Sequence, residues 1–180
     1  MEQRGDNQRR GSVLRCFVGA RVAPASRRLL RTTLEQVLPA PERPRGRLVP
    51  VENLHLTLKF LGATPKADVP ALLRQVRALE PHALTVPVTR IVGLPRPARA
   101  RNLVAELARH PQLLAWRARL EAALGAEDRF FRPHVTLERL RRPGTVAPVT
   151  LEAPLEIELE PPTLYRSEPA EDGVRYHPLG

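Results

Sequence analysis

The sequence is poor in cysteine and aromatic residues and has no long apolar run, and each shortage removes a class of protein. Cys16 is the only cysteine among the 180 residues, so no disulfide can form within the chain. Aromatic residues make up 4% of the chain, so leucine, valine and alanine must supply most of the core. No apolar run approaches the roughly 18 residues of a membrane span, and no signal-peptide pattern is present. These absences predict a cytoplasmic protein without a membrane anchor.

Lysine is also scarce, and nearly all of the positive charge comes from arginine. Lysine and arginine total 29 against 19 acidic residues, which gives a formal net charge of +10, and Lys59 and Lys66 are the only lysines. Arginine stays ionised and presents a planar fork of donors that matches phosphate oxygens. A genomic base composition or a hot habitat that favours arginine explains its use over lysine as well as polyanion binding does. Neither of these explains the excess of positive over negative charge. Nucleic acid is therefore the expected class of partner.

The apolar patterning predicts one domain of mixed helices and strands. Residues 1–12 are polar and aperiodic, which predicts a disordered leader, and residues 13–180 are expected to form a single domain. Helical spacing of apolar residues occurs at 24–38, 66–80 and 111–124. Strands are predicted at 13–20, 54–61, 84–92, 101–107, 134–140, 155–168 and 174–179. The proline-containing stretches 39–50 and 93–100 are predicted to be loops.

The order strand, helix, His-x-Thr strand occurs twice along the chain. The two motifs are His55-Leu56-Thr57 and His134-Val135-Thr136. Within a strand, residues i and i+2 project from the same face, so each motif places an imidazole beside a hydroxyl. One His-x-Thr on a strand is usually structural, whereas two at corresponding places in two similar halves favour a shared pocket. We expect the two strands to face each other and to enclose two imidazoles and two hydroxyls.

Such a pocket suits displacement at phosphorus. Imidazoles titrate near neutrality, so one can take a proton from water while the other gives a proton to a leaving oxygen. Hydroxyls can donate hydrogen bonds to the non-bridging phosphate oxygens. No pair of cysteines or histidines has metal-ligand spacing, no aspartate cluster is present, and phosphate-loop and dinucleotide glycine patterns are missing. The pattern predicts phosphoester chemistry without a metal or another cofactor.

Strand periodicity also assigns the neighbours of the motifs to faces. It places Lys59 on the histidine face of the first motif strand and Phe60 on the apolar face. In the second motif strand it places Glu138 on the histidine face and allows Arg139 on the apolar one. Asn53 lies on the face of the first imidazole and is a candidate to orient it. These assignments assume an unbroken alternation of side chains along each strand.

Four segments together match one known family. They are residues 15–20 (RCFVGA), 49–62 (VPVENLHLTLKFLG), 131–139 (FRPHVTLER) and 164–168 (LYRSE). The chain resembles the 2H phosphoesterases from about residue 13 to its end, and most closely their RNA 2′,3′-cyclic phosphodiesterase branch (ThpR or LigT), once called 2′-5′ RNA ligases. The resemblance implies a bilobed α+β fold, in which two pseudo-symmetric antiparallel-sheet lobes with outer helices surround a central cleft.

The resemblance also implies a reaction and a role for each site residue. A monomeric protein would hydrolyse the 2′,3′-cyclic phosphate at an RNA end to a 2′-phosphomonoester without a metal. His55 would be the general acid that protonates the departing ribose O3′, and His134 the general base that activates water, although the residues alone leave these two roles interchangeable. Thr57 and Thr136 would hold phosphate oxygens, and Arg139 would add positive charge near the phosphate.

Three further positions bear on how the nucleotide is held. Phe17 matches a family aromatic that can stack on the terminal base. Leu103 stands where family members often carry an aromatic residue, so part of the base or ribose contact is expected to differ. The loop 95–101 is rich in arginine and is either a phosphate contact for a longer strand or a solvated loop.

Two other functions would use the same groups. A non-catalytic RNA-end-binding module predicts salt-sensitive binding without a product, and it would survive replacement of both histidines. A 2′-5′ RNA ligase would run the same chemistry in reverse, although water at cellular concentration favours hydrolysis.

Overall fold

The predicted strands assemble into one antiparallel sheet. The structure is a computed structural model that describes residues 13–127, 130–171 and 173–180, so the predicted leader at residues 1–12 lies outside the described residues. Its strands are β1 (Val13–Arg21), β2 (Gly46–Leu48), β3 (His55–Pro65), β4 (Leu84–Leu94), β5 (Ala100–Leu107), β6 (His134–Gly144), β7 (Val149–Leu159), β8 (Thr163–Ala170) and β9 (Gly173–Pro178). Its helices are α1 (Pro24–Val37), α2 (Val69–Arg77) and α3 (Pro111–Leu124).

The strand order divides the sheet into two matching halves. The order is β7-β4-β5-β6-β3-β1-β8-β9, with β2 paired to β6, and all neighbours are antiparallel. We call β9-β8-β1-β3 the His55 half and β6-β5-β4-β7 the His134 half. Each half has its motif strand at the inner edge, where β3 meets β6. This is the predicted α+β architecture of two pseudo-symmetric antiparallel halves with helices outside.

One hydrophobic core joins the helices to the sheet. Its members include Leu30 and Leu34 of α1, Val76 of α2, and Trp116 and Leu120 of α3. Full burial of an apolar side chain contributes roughly 1.5–3 kcal/mol, so this contact face, rather than helix propensity, fixes the helices. None of the helices in the described part of the chain is long and apolar enough to cross a membrane.

Proline sets where each helix begins. α1 and α3 begin at Pro24 and Pro111, and α2 has Pro70 in its first turn. The missing N–H of proline costs nothing there, because first-turn N–H groups have no helical acceptor. α3 ends before Gly125, which has φ of +87°, a backbone region that favours glycine. The spacing of apolar residues and these punctuating residues explain why the helix predictions are confirmed.

Two sequence predictions about strands are wrong. The single strand predicted at 155–168 is two strands, β7 and β8, and the adjacent prolines Pro161 and Pro162 lie between them. Neither proline can donate a ladder hydrogen bond, so a continuous strand cannot pass through them. The predicted loop 39–50 contains β2, which has three residues and is too short to show an alternating pattern. Its pairing with β6 comes from tertiary structure rather than from local sequence.

Candidate active site

The two His-x-Thr motifs lie side by side at the junction of the halves. Leu56 of β3 pairs with Val135 of β6, and both side chains are fully buried in the core. Because side chains alternate along a strand, the flanking histidines and threonines project from the opposite face of the sheet. The structure therefore brings His55, Thr57, His134 and Thr136 to one face, as predicted, and all four side chains are half-buried there.

Both imidazoles are held in the same way. The Nδ1–H of His55 donates to the carbonyl oxygen of Asn53 at 2.6 Å, and the Nδ1–H of His134 donates to that of Arg132 at 2.7 Å. A carbonyl oxygen can only accept, so the proton of each neutral ring must lie on Nδ1. Nε2 is then left as the basic atom of each ring. The two rings therefore offer the same atom from equivalent backbone anchors.

Burial depresses the basicity of both histidines. The pKa of His55 is lowered to about 4, chiefly by burial and also by the nearby charges of Arg139 and Arg21, whereas the Asn53 carbonyl raises it. Burial also lowers the pKa of His134, where the Arg132 guanidinium lowers it and the Arg132 carbonyl and the Glu106 carboxylate raise it. Both rings are therefore neutral at pH 7 without a ligand.

An aromatic cluster packs against His55. The Phe17 ring lies 4.9 Å from the His55 ring, 5.2 Å from the Tyr165 ring, on which it stacks, and 5.1 Å from the Tyr176 ring. Tyr176 also meets the His55 ring edge-on at 4.7 Å. Gly19 makes room for this packing, since an added Cβ would come within 2.6 Å of the Leu56 carbonyl oxygen and 3.0 Å of the Phe17 ring. The cluster holds the imidazole from the side.

Phe17 has little surface left for a ligand. Only 4% of it is exposed, and its ring is enclosed by three other rings. The ring that the sequence predicted to stack on a base is therefore already covered by other rings of the protein. The observed contact is with His55, which the sequence did not indicate.

Charged residues replace this aromatic cluster beside His134. Glu106 lies directly across the strand pair from His134, and its carboxylate accepts hydrogen bonds from Arg90 and Arg132. The position equivalent to Glu106 in the His55 half is Arg21, which pairs with His55. The two equivalent histidines therefore have opposite charges as cross-strand neighbours.

A bulge in β3 breaks the predicted alternation after the threonine. Gly19 pairs with Thr57 and Val18 pairs with Lys59, so Leu58 has no opposite residue. Lys59 is consequently buried, and its Nζ donates to the Gly125 carbonyl oxygen at 2.7 Å. Both face predictions for this strand were wrong. Lys59 leaves the histidine face, and the next residue, Phe60, moves onto that face.

β6 carries the same bulge at the equivalent place. Val104 pairs with Thr136 and Leu103 with Glu138, which leaves Leu137 unopposed. Glu138 is buried and accepts a hydrogen bond from Arg43 Nε at 2.7 Å, so its predicted place on the histidine face was wrong. Arg139 then moves to the histidine face, where its charge acts on His55.

Two other positions that the sequence singled out are placed as follows. Asn53 does anchor His55, but through its backbone carbonyl, whereas its side chain donates to the Val174 carbonyl oxygen at 2.6 Å. Leu103 is fully buried in the core and does not border the cleft. The β5 residue on the histidine face near Arg139 is Asn102, which pairs with it.

Comparisons with known proteins agree with this geometry. The family model described as LigT-like phosphoesterase matches residues 22–104, which include the first motif. The crystal structure of TT0787 of Thermus thermophilus is 28% identical over 93% of this chain and 96% of that chain, with a TM-score of 0.75. Escherichia coli LigT complexed with 3′-AMP is 25% identical over 94% of this chain and 97% of that chain, with a TM-score of 0.75. No curated protein sequence matches the chain significantly.

The chain contains a LigT-like phosphoesterase domain and has the LigT fold, consistent with the 2H superfamily.

This LigT-like phosphoesterase contains site neighbours that the sequence did not reveal. Glu106 and Arg21 become visible only when the strand register places them beside a histidine. Tyr165 and Tyr176 come from the carboxyl-terminal hairpin, more than 100 positions from His55. Within residues 13–127, 130–171 and 173–180 no group of three or more His, Cys, Asp or Glu side chains is placed to hold a metal.

Proposed function

We propose that this phosphoesterase hydrolyses the 2′,3′-cyclic phosphate at an RNA end to a 2′-phosphomonoester. The observation that carries the proposal is the pair of imidazoles, each fixed through Nδ1–H to a backbone carbonyl on adjacent strands. Two such rings supply one proton donor and one proton acceptor at a single phosphate. The reaction needs no redox step and no transferred group other than the phosphoryl group.

The proton balance of the proposed reaction is complete within the two histidines. Neutral His134 takes a proton from water through Nε2, and the water oxygen forms a bond to phosphorus. The bond from phosphorus to O3′ breaks on the opposite side, and protonated His55 gives its proton to O3′. Each ring ends in the state in which the other began, and exchange with solvent restores both. A bound phosphate anion favours the protonated ring, because an adjacent negative charge raises the pKa of an imidazole.

The phosphate-holding groups are proposed from their position on the same face. Thr57 and Thr136 lie two residues beyond the histidines, so their hydroxyls can donate to the non-bridging oxygens. Arg139 brings positive charge to the same face and counters the charge that develops there. E. coli LigT, which shares this fold, has been crystallised with 3′-AMP. A nucleotide carrying a ribose phosphate is therefore the ligand class that we propose for this cleft.

We propose different roles for two phenylalanines near the site. Phe17 is assigned to positioning His55, since its ring is buried against the imidazole. Phe60 is 66% exposed and pairs with Phe17 on the histidine face. An open aromatic ring can stack on any base, at about 1–3 kcal/mol per base. Phe60 is therefore the platform that we propose for the terminal base.

The function is tested with an RNA oligonucleotide ending in a 2′,3′-cyclic phosphate, incubated with the protein in excess chelator. We expect a 2′-phosphomonoester product, and a loss of rate of about 10²–10⁴-fold in each of His55→Ala and His134→Ala. His177→Ala, whose ring contacts Glu168, is the matched control. An intact cyclic end, full rate in both motif variants, or joining of strands when an RNA with a 5′-hydroxyl is added would refute hydrolysis as the function.

A substrate with a better leaving group tests which histidine is the acid. When sulfur replaces the bridging O3′, the leaving thiolate needs little protonation. His55→Ala is then expected to recover much of its lost rate, whereas His134→Ala is not. Recovery in His134→Ala alone would reverse the two proposed roles and leave the reaction itself unchanged.

The remaining attributes follow from the proposed reaction and from the composition. We propose that RNA ends are the partner, that the protein acts as a monomer in the cytoplasm, and that residues 13–180 are one folding unit. The single core that spans both halves supports the last point. Light scattering on a sizing column and one unfolding transition by two probes would test the monomer and the folding unit.

A further inference from the structure

A cavity opens beside His134 and has no counterpart in the proposed reaction. Its volume is about 680 Å³, which is within the range of small-ligand sites. We call it the arginine cavity, because its lining includes Arg90, Arg109 and Arg132, together with Glu106 and Phe130. The cavity lies in the His134 half, between β4, β5 and the segment that leads into β6.

The arginine cavity is connected to the catalytic histidine through shared residues. The Arg132 carbonyl oxygen accepts the hydrogen bond from His134 Nδ1–H, while the Arg132 side chain lines the cavity. Glu106, another lining residue, is the cross-strand neighbour of His134. Arg90 pairs with Glu106 and Glu106 pairs with His134, so the cavity lies on the same face of the sheet as the imidazole.

The charge of the lining suits an anion. Three arginines and one glutamate give a formal charge of +2, that is, three positive charges less one negative charge. Glu106 accepts from both Arg90 and Arg132, so its charge is already shared between them. Arg109 is exposed, and its Nη1 donates only to a neutral group, the Phe131 carbonyl oxygen at 3.2 Å, among the contacts described. Its guanidinium therefore carries charge that a phosphodiester can use.

An exposed aromatic ring completes the arginine cavity. Phe130 is 80% exposed, although the Arg109 guanidinium lies over its ring at 4.8 Å from the centroid. An exposed phenylalanine capped by an arginine offers a stacking surface and a phosphate-binding group at neighbouring positions. Successive nucleotides of a single strand present that alternation of base and phosphate.

We propose that the arginine cavity binds the nucleotide that precedes the terminal one in a single-stranded RNA. Its base stacks on Phe130, and the phosphodiester that links it to the terminal nucleotide lies against Arg109. The arginine cavity lies in the His134 half, so the strand extends from the cleft over that half. This inference rests on the proposed function and specifies the length of its substrate. The preferred substrates are oligonucleotides rather than cyclic mononucleotides.

The test compares two substrates with the same reacting end. They are 2′,3′-cyclic AMP and the dinucleotide ApA ending in a 2′,3′-cyclic phosphate. We expect kcat/KM to be about tenfold or more higher for the dinucleotide, since one stacked base and one phosphate contact are gained. Arg109→Ala and Phe130→Ala should each reduce this preference by about tenfold. Arg77→Ala removes an exposed arginine from α2 and should leave the preference unchanged.

Direct binding separates this inference from the proposed function. A fluorescein-labelled RNA hexanucleotide with a terminal 2′-phosphate is titrated by fluorescence anisotropy at several salt concentrations. Arg109→Ala should weaken binding about tenfold and lower the slope of log Kd against log salt by about 0.7, the value for one single-strand phosphate contact. If neither cyclic substrate is hydrolysed while this difference persists, the proposed function fails and the binding inference survives.

Other outcomes overturn the inference. Equal kcat/KM for the mononucleotide and the dinucleotide, with hydrolysis of both, would show that the cavity adds nothing to recognition. An equal loss in Arg109→Ala on both substrates, with unchanged binding of the hexanucleotide, would mean that the residue only supports His134. Hexanucleotide binding that is the same in the wild type, Arg109→Ala and Phe130→Ala would exclude RNA as the occupant.

Discussion

Leu56 and Val135 pair directly across β3 and β6, and each is the middle residue of a His-x-Thr motif. In the described part of the chain this is the single paired position between those two strands. Both side chains are fully buried. The two motifs are therefore held side by side at one paired position, whose side chains lie in the core beneath the imidazoles.

Removing part of that contact should disturb catalysis as well as stability. Leu56→Ala is expected to lower the free energy of unfolding by about 2–5 kcal/mol, because it leaves a cavity in the core. It should also lower kcat by about tenfold or more, since small displacements of catalytic groups cost rate. Leu34→Ala, an equally buried change in α1, is the control for stability alone. Equal kcat in the two variants under folded conditions would contradict a role for the junction.

The pH dependence of activity should reflect the lowered basicity of both rings. The proposed reaction needs one neutral and one protonated imidazole, so kcat/KM should follow a bell centred between the two pKa values of the free protein. Burial lowers both pKa values below the ordinary 6.5, so the optimum of kcat/KM should lie below pH 6.5. The optimum of kcat should lie higher, because bound phosphate raises the pKa of an adjacent imidazole. A kcat/KM that stays constant or rises from about pH 6.5 to 9 would argue against paired acid and base roles.

Stability should fall on acidification partly because of His55. Its pKa is about 4 in the folded protein against an ordinary value of about 6.5 when unfolded. The unfolded state therefore binds the proton first, and the contribution of the neutral ring is present above pH 6.5 and is lost as pH falls from 6.5 through 4. In His55→Asn, urea unfolding at pH 7, 5.5 and 4.5 should show a smaller loss than in the wild type. Equal losses would contradict the assignment, since the carboxylates common to both proteins cancel in the comparison.

The buried ion pair behind β6 should matter more than its exposed neighbour. Arg43 donates to Glu138 and to Glu35, each at 2.7 Å, and the side chains of Arg43 and Glu138 are 3% and 6% exposed, whereas that of Glu35 is 44% exposed. Glu138→Ala leaves a buried guanidinium without its main partner and should cost about 3–5 kcal/mol in the free energy of unfolding. Glu35→Ala should cost at most about 1 kcal/mol. Chemical denaturation of both variants measures the difference, and equal costs would mean that water reaches Arg43.

The sequence was sufficient for the parts of the site that follow local rules. Alternation over three residues places each His-x-Thr on one face, and helical spacing with proline at the start of the helices locates α1 and α3. The pairing of the motif strands depends on contacts between halves, which no local pattern encodes. Glu106 illustrates the limit, since its neighbour His134 is 28 positions away along the chain and adjacent only after strand pairing.

Other failures have a specific physical cause. The extra residue in each motif strand reverses the face assignments that directly follow it, as happened for Lys59 and Glu138. A strand of three residues such as β2 cannot show periodicity, and its neighbour β6 decides its conformation. Phe17 was placed correctly in its strand, but the ring that covers it comes from Tyr165 in β8, which only the folded chain brings near.

The matching bulges after Thr57 and Thr136 change the spacing of the residues that share one face of each motif strand. Along each strand, the residues that face the cleft follow one another at intervals of two and then three positions. His134, Thr136 and Arg139 therefore point the same way, although strict alternation would put Arg139 on the other face. His55, Thr57 and Phe60 follow the same count in the other half. The segment that each strand presents to the cleft is therefore six residues long, and its last position is the one that differs, cationic in one half and aromatic in the other. Exchanging Phe60 and Arg139 would turn this asymmetry around without moving either histidine.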